Sequence, residues 1–461
     1  MSRLVVISNR VAIPDEQGRP APGGLAVAVE AAMQGRDGLW FGWSGQMSET
    51  PPPPVTIDSG HMKYVLTDVR PQDFREYYNG FANRVLWPIL HYRLDLAQFN
   101  ESDLEGYLRV NQFFAERLSP LLKPDDLLWV HDYHLMPLAL ALRARGHANR
   151  IGFFLHIPLP PPDLLTALPR HREVVGALTA YNLIGLQTAN DASNFTRYLT
   201  QVIGATTHDG RHYHLGNQHF QVGAFPVGVD AEGFRHLAQQ SAQGDFAREL
   251  ANSLAGRALL VGVDRLDYSK GIVNRFDGYE RFLERNPEWH NRVTYLQIAP
   301  GSRSDIPEYA EIDSIVNAKV GHINGRFGAV CWVPLRYVSR NHRREDVATV
   351  MRLARVGLVT PLRDGMNLVA KEFVAAQDPA DPGVLILSQF AGAAAELDAA
   401  LIINPHDRDA LAEAIKLALE MPLEERCSRH RQLFAALLAN PIQAWGQSFI
   451  EALLQPAPAS A

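Results

Sequence analysis

The residues most able to do chemistry lie in Thr360-Pro-Leu-Arg-Asp-Gly-Met-Asn-Leu-Val-Ala-Lys-Glu372, which leaves an apolar strand at 356–359, turns at Asp364-Gly365 and enters a helix. Gly365 lets backbone approach a ligand closely, and the helix start offers free N–H groups and the positive end of a dipole to an anion. Asp364 and Glu372 are eight residues apart. That is about two helical turns, so both can face one pocket. A carboxylate at each end of a phosphate cradle suits a sugar nucleotide, one acid for a sugar hydroxyl and the other for a ribose diol. Helix capping is the plainer alternative.

Other strand ends carry matching chemistry. After a strand at 259–263 comes Asp264-Arg-Leu-Asp-Tyr-Ser-Lys-Gly271, where Arg265 and Lys270 precede an amphipathic helix and could hold a diphosphate; solvated surface cations are the alternative. No GxxxxGK[ST] occurs, which argues against an NTP-hydrolysing P-loop. Ser8-Asn9-Arg10 ends the first strand, and Gly23-Gly24 opens the next helix without a GxGxxG fingerprint, which disfavours a nicotinamide dehydrogenase. In Trp129-Val-His-Asp-Tyr-His134, residues His131, Asp132 and His134 could ligate a metal, or sit in the core, or bind hydroxyls. The next strand ends at His156, placing it beside Asp132 on one sheet rim. Trp40, Tyr78 and Trp87 offer aromatic walls for a sugar ring or simply core, and Arg303 adds a cation suited to a monophosphate.

These residues need a scaffold, and the chain supplies a repeating rhythm of short apolar strand, turn and amphipathic helix. That rhythm predicts parallel sheets covered on both faces. Strands are expected at 4–8, 39–43, 64–69, 127–131, 151–156 and 183–187, then at 258–263, 293–299, 329–333, 356–359, 384–388 and 401–404. A hairpin is expected within 207–220. The Gly/Pro segment 223–228 and the polar run 239–245 mark a junction, giving domains 1–235 and 236–440 and a helix, 441–461, that crosses back to the first. Two doubly wound domains would place ligands in a cleft facing the carboxyl ends of both sheets.

Composition narrows the class. With 46% hydrophobic and 20% charged residues the 461-residue chain reads as an ordinary globular protein, and a net charge of −6 argues against a nucleic-acid or membrane-surface binder. The two cysteines, Cys331 and Cys427, have no zinc or CxxC spacing. The N-terminus reads as a strand rather than a signal peptide, and no apolar run is long enough for a membrane span, so a cytoplasmic protein is expected.

In their order along the chain, these motifs resemble the trehalose-6-phosphate synthases, retaining glycosyltransferases of GT-B architecture (two Rossmann-like doubly wound domains). The resemblance rests on SNR at 8–10, WFGWSG at 40–45, YYNGFANRVLWP at 77–88, WVHDYHL at 129–135 and IGFFLHIP at 151–158. It continues through VDRLDYSKGI at 263–272, INGRFG at 323–328, VTPLRDGMNLVAKEFVAAQ at 359–377, GVLILSQFAGAA at 383–394 and LIINPHD at 401–407. It implies glucose transfer from a nucleotide-glucose, usually UDP-glucose, to glucose 6-phosphate, with no metal or cofactor and with assembly as a dimer or tetramer.

Carried over by motif, the donor site would comprise Gly23, Gly24, His156, Arg265, Lys270, His342, Asp364, Gly365, Met366, Asn367, Leu368, Val369, Ala370, Lys371 and Glu372. Arg265 and Lys270 would take the diphosphate, Asp364 and His156 the glucose hydroxyls, and Glu372 the ribose. Arg10, Trp40, Tyr78, Trp87, Asp132 and Arg303 would form the acceptor site. By the same resemblance, Asp132, His156, Arg265, Lys270 and Asp364 would form the catalytic set. Gly301 and His342 depart from the family pattern and leave the base preference open. A glucosylglycerol-phosphate synthase and a silent regulatory subunit are the rivals; the intact acceptor set argues against the first and the intact donor set against the second.

Overall fold

The computed structural model describes residues 2–13, 24–33, 36–60, 62–303 and 306–455. The chain divides into two compact units, Met1–Val227 with Ile442–Ala461, and Gly228–Pro441. A boundary at 235 would fall inside the helix Ala231–Ser241; the division comes before that helix, at Val227/Gly228.

In the first unit the strands are β1 (Leu4–Arg10), β2 (Gly38–Met47), β3 (Val55–Ser59), β4 (Met62–Val69), β5 (Leu127–His131), β6 (Arg150–Phe154), β7 (Leu183–Leu186), β8 (Thr206–Thr207), β9 (His212–Leu215) and β10 (Gln218–Ala224). They form one sheet in the order β3-β4-β2-β1-β5-β6-β7-β10-β9-β8. From β4 to β10 the neighbours are parallel. Strands such as β5 are buried along their whole length, which is why they read as unbroken apolar runs. The strand order reverses between β1 and β5, the place where doubly wound sheets open a crevice at their carboxyl ends.

The helix Ile442–Leu454 belongs to this unit and lays Phe449 parallel to Trp129, with ring centroids 4.7 Å apart. Gly152 in β6 and Gly185 in β7 make room for it, since a Cβ at either would come within 2.7 and 2.6 Å of the Phe449 ring. Truncating such a buried ring costs about 3–5 kcal/mol.

The second unit holds β11 (Ala258–Val263), β12 (Val293–Ile298), β13 (Leu335–Val338), β14 (Val356–Val359), β15 (Val384–Ser388) and β16 (Leu401–Ile403). All pair in parallel, in the order β13-β12-β11-β14-β15-β16, so the reversal falls between β11 and β14. The helix after β11, Ile272–Arg285, buries Ile272, Phe276, Tyr279 and Leu283 at helical spacing.

One expectation changes. The apolar run 329–333 is a turn closed by an Ala329–Trp332 bridge, with Val330 and Cys331 exposed; pairing with β12 begins only after Pro334, which cannot donate to a ladder. The aromatic segment Phe74–Leu86 is one 13-residue π-helix, with Tyr77, Phe81 and Leu86 buried.

Candidate active site

At the switch point of the second unit, β11 delivers Asp264 and Arg265, and β14 delivers Thr360 to Asp364. Arg265 is exposed, whereas Lys270 is largely buried and its Nζ lies 2.5 Å from Asp364 Oδ2. Asn367 Nδ2 donates to the same carboxylate oxygen at 3.0 Å. Asn367 also caps the helix Leu368–Ala376 by accepting from the Ala370 N–H at 3.2 Å, from a left-handed backbone conformation (φ 76°). The N–H groups of Leu368 and Val369, in the first turn, have no intrahelical partner and supply the anion-facing dipole end. Gly365 and Met366 are braced from behind, where Gly392 N–H donates to Asp364 O at 3.1 Å and Ala393 N–H to Met366 O at 2.8 Å.

A residue not singled out from the sequence holds this loop. Arg275 is completely buried, and its guanidinium donates to Asp264 Oδ2 at 2.7 Å, Gln297 Oε1 at 2.9 Å, Thr360 Oγ1 at 2.9 Å and Lys270 O at 3.2 Å. One side chain thereby ties together the residues that follow β11 and β14, Gln297 of β12, and the turn carrying Lys270. Asp267 acts beside it. Its carboxylate accepts from Ser269 N–H at 2.9 Å, from Tyr309 OH at 2.8 Å and from Arg303 Nη1 at 3.3 Å. Arg303, expected to face a phosphate, is therefore anchored to the donor-side loop, with Tyr309 also bonded to its guanidinium. A sequence signal existed only for Asp267, within a polar strand-to-helix loop; the long-range partners of Arg275 leave no local trace.

Two donor candidates have other roles. Lys371 is buried and paired with Glu396 Oε1 at 2.9 Å, so it faces the interior rather than a ligand. The Ala370 N–H is already occupied by the cap, and its side chain is fully buried. Glu372 keeps part of its side chain accessible, and burial lifts its carboxyl to about 7 against the pull of Arg344. His342 follows β13, with Nε2 buried and unpartnered. Gly24 begins the helix Gly24–Met33, and Gly23 lies outside the described residues.

In the first unit the switch point brings together Arg10, at the end of β1, and Asp132, just after β5. Arg10 lies 5.8 Å over the Trp43 ring and packs on Gly45, whose φ is 91°. A Cβ at Gly45 would fall 2.6 Å from Arg10 Nη2 and would push that guanidinium aside, and the positive φ independently favours glycine there. Asp132 is half-buried in a conformation other residues avoid (φ 75°, ψ 165°). Such strain costs about 1–3 kcal/mol and is concentrated at functional sites. Tyr78 stacks with His134 (5.8 Å, 11°) and Phe74 (5.3 Å, 19°), leaving it half-buried, while Trp87 is mostly covered by His91 and Tyr133.

Trp40 is wholly buried, donating to Ser8 Oγ at 2.8 Å, and so stiffens the end of β1 instead of lining a pocket. His131, Asp132 and His134 diverge rather than converge. His131 Nδ1 meets His156 Nε2 at 3.0 Å, Asp132 Oδ1 accepts from His156 N–H at 3.4 Å, and His134 stacks with Tyr78. Burial pushes the His156 imidazole down to about 3, so it is neutral at physiological pH although its side chain reaches solvent.

Comparison with known proteins adds to this geometry. The model of glycosyltransferase family 20 matches residues 3–455. A trehalose-6-phosphate synthase of Sinorhizobium fredii is 49% identical, over 98% of each chain. Among solved structures, an α,α-trehalose-phosphate synthase (UDP-forming) from Burkholderia xenovorans in complex with glucose-6-phosphate aligns at TM-score 0.95 and 47% identity, covering 98% of this chain and 100% of that one. An Escherichia coli protein bound with UDP-2-fluoro glucose aligns at TM-score 0.94 and 45% identity, covering 99% and 100%.

Proposed function

We propose, from the premise that this chain belongs to glycosyltransferase family 20, that it transfers glucose from a nucleotide-glucose, UDP-glucose foremost, to glucose 6-phosphate, yielding α,α-trehalose 6-phosphate. Its fold is of the GT-B type, with two Rossmann-like domains. The observation that carries the reading is the paired switch points. The second unit's holds Arg265, Lys270 and a helix start suited to a nucleotide diphosphate, and the first unit's holds Arg10, Tyr78 and Asp132 suited to a phosphorylated sugar.

In this reading the second unit serves the donor and the first the acceptor. Arg265 and Lys270 stabilise charge that develops on the departing diphosphate, an electrostatic term that grows along the reaction coordinate. Lys270 is held at Asp364 before the donor arrives, so the same ammonium can bridge the carboxylate and the diphosphate. Transfer proceeds with retention by front-face attack, in which the departing phosphate oxygen takes the acceptor's proton. Glu372 holds the ribose diol. Both substrates are polyanions that do not cross a bilayer unaided, which fits a cytoplasmic enzyme, and none of the described helices is long and apolar enough to cross a membrane. Assembly as a dimer or tetramer follows from the resemblance and is open to sedimentation analysis.

The test is incubation of the protein with UDP-glucose and glucose 6-phosphate, measuring UDP release and a non-reducing disaccharide phosphate together. Formation of both is expected, and UDP release without the disaccharide would overturn the acceptor assignment.

A further inference from the structure

His156 and His131 share one hydrogen bond, Nε2 to Nδ1, at 3.0 Å. Neither ring carries charge, because burial drives both imidazoles well below their ordinary range. One of the two nitrogens in the contact therefore bears the hydrogen and the other accepts it, and each choice fixes the second nitrogen of both rings.

The surroundings of His131 decide between the choices. Its Nε2 is fully buried and has no hydrogen-bond partner. The ring sits among Trp129 (4.6 Å), Phe154 (6.5 Å) and Trp445 (6.3 Å). If His156 donated to His131 Nδ1, the hydrogen of His131 would have to sit on Nε2, as a buried N–H with no acceptor. Orphaned buried N–H groups are rarer than under-used acceptors. The alternative leaves His131 Nε2 as an unused acceptor and puts the His131 hydrogen on Nδ1. His156 Nε2 then accepts, and its own hydrogen must reside on Nδ1.

We propose that His131 is a positioning residue that locks His156 in the Nδ1–H tautomer, making its remaining ring nitrogen an obligate hydrogen-bond donor toward a hydroxyl of the transferred sugar. This rests on the function proposed above for the identity of the sugar but not for the tautomer. A donor fixed without charge can hold a sugar hydroxyl in one orientation throughout transfer without binding a proton of its own. The backbone adds to the lock, since Asp132 Oδ1 accepts from the His156 N–H at 3.4 Å and Asp132 N–H donates to Phe154 O at 2.8 Å.

The experiment combines nitrogen NMR of histidine-labelled protein with kinetics of two variants. In the unsubstituted protein, His156 Nδ1 is expected to show a pyrrole-type signal and Nε2 a pyridine-type one; the reverse would overturn the proposal whether or not the protein transfers glucose. His131→Asn places an amide donor near the Nδ1 position and should hold kcat within a few-fold. His131→Leu should lower kcat by about tenfold, one hydrogen bond's worth, with the acceptor KM unchanged. Equal kcat in the two variants, both folded by circular dichroism, would contradict a positioning role. If His131→Leu does not fold, the tautomer signals and the His131→Asn rate still decide.

Discussion

The two switch points solve the same problem with opposite electrostatics. In the second unit the candidate side chains are charged and held by internal counter-ions: Lys270 by Asp364, Arg303 by Asp267, and the loop itself by Arg275 on Asp264. In the first unit the neighbours of Arg10 and Asp132 are aromatic rings and imidazoles kept neutral by burial. The difference follows from what each would bind. A diphosphate leaving group gains charge as the reaction proceeds and needs fixed cations, while a sugar ring needs apolar walls and directional donors.

The largest effect should come from removing a fixed cation. Arg265→Ala and Lys270→Ala are each expected to lower kcat by about 10²–10³-fold, as for loss of a preorganised electrostatic group. Thermal unfolding should barely move in Arg265→Ala, because that side chain is exposed. Near-normal turnover in either variant would erase the contrast between the units.

Next is the counter-ion framework. Arg275→Met leaves Asp264 buried and unpaired, and equilibrium denaturation should show a loss of about 3–5 kcal/mol. A near-neutral result would mean that the second unit does not depend on its internal ion pairs.

A smaller effect is tied to pH. The Glu372 carboxyl titrates near 7 in the folded protein, above its value in the unfolded chain, so its contribution is complete in acid and is lost as the pH rises through about 7. Glu372→Gln should be the more stable protein by about 1–2 kcal/mol at pH 8, a figure reduced because the side chain keeps some exposure, and should show no such gain at pH 4. If the ribose diol engages the ionised carboxylate, UDP binding at pH 6 should release a proton, detectable by calorimetry in buffers of different ionisation heat.

The smallest concerns the uncharged side. Asp132→Gly keeps a backbone conformation that only glycine adopts freely and relieves its strain, and should raise stability by about 1 kcal/mol while lowering activity. Loss of stability would show that the Asp132 contacts outweigh its strain.

Most of the fold was legible because parallel strands are buried on both faces. The ends of β5, β11, β14 and β15 fall where the apolar runs stop. The exposed edge strand β3 has no such signature, and the run ending at Val333 lost its place to β13 through Pro334. In the candidate site, the positions of Arg265, Asp364 and Asp132 just after strands were legible because the apolar runs before them end cleanly. Direction was not legible. Lys371 and Trp40 share motifs with residues proposed to face a ligand, yet each turns into the core toward a partner distant in sequence, Glu396 and Ser8. Arg275 was hidden for the same reason.

The division of labour between the units is tested most directly by calorimetric titration of UDP and of glucose 6-phosphate into the unsubstituted protein, Arg10→Ala and Lys270→Ala. The account predicts that Lys270→Ala loses UDP binding and that Arg10→Ala loses glucose 6-phosphate binding while keeping UDP. Loss of UDP binding in Arg10→Ala with normal UDP binding in Lys270→Ala would contradict it.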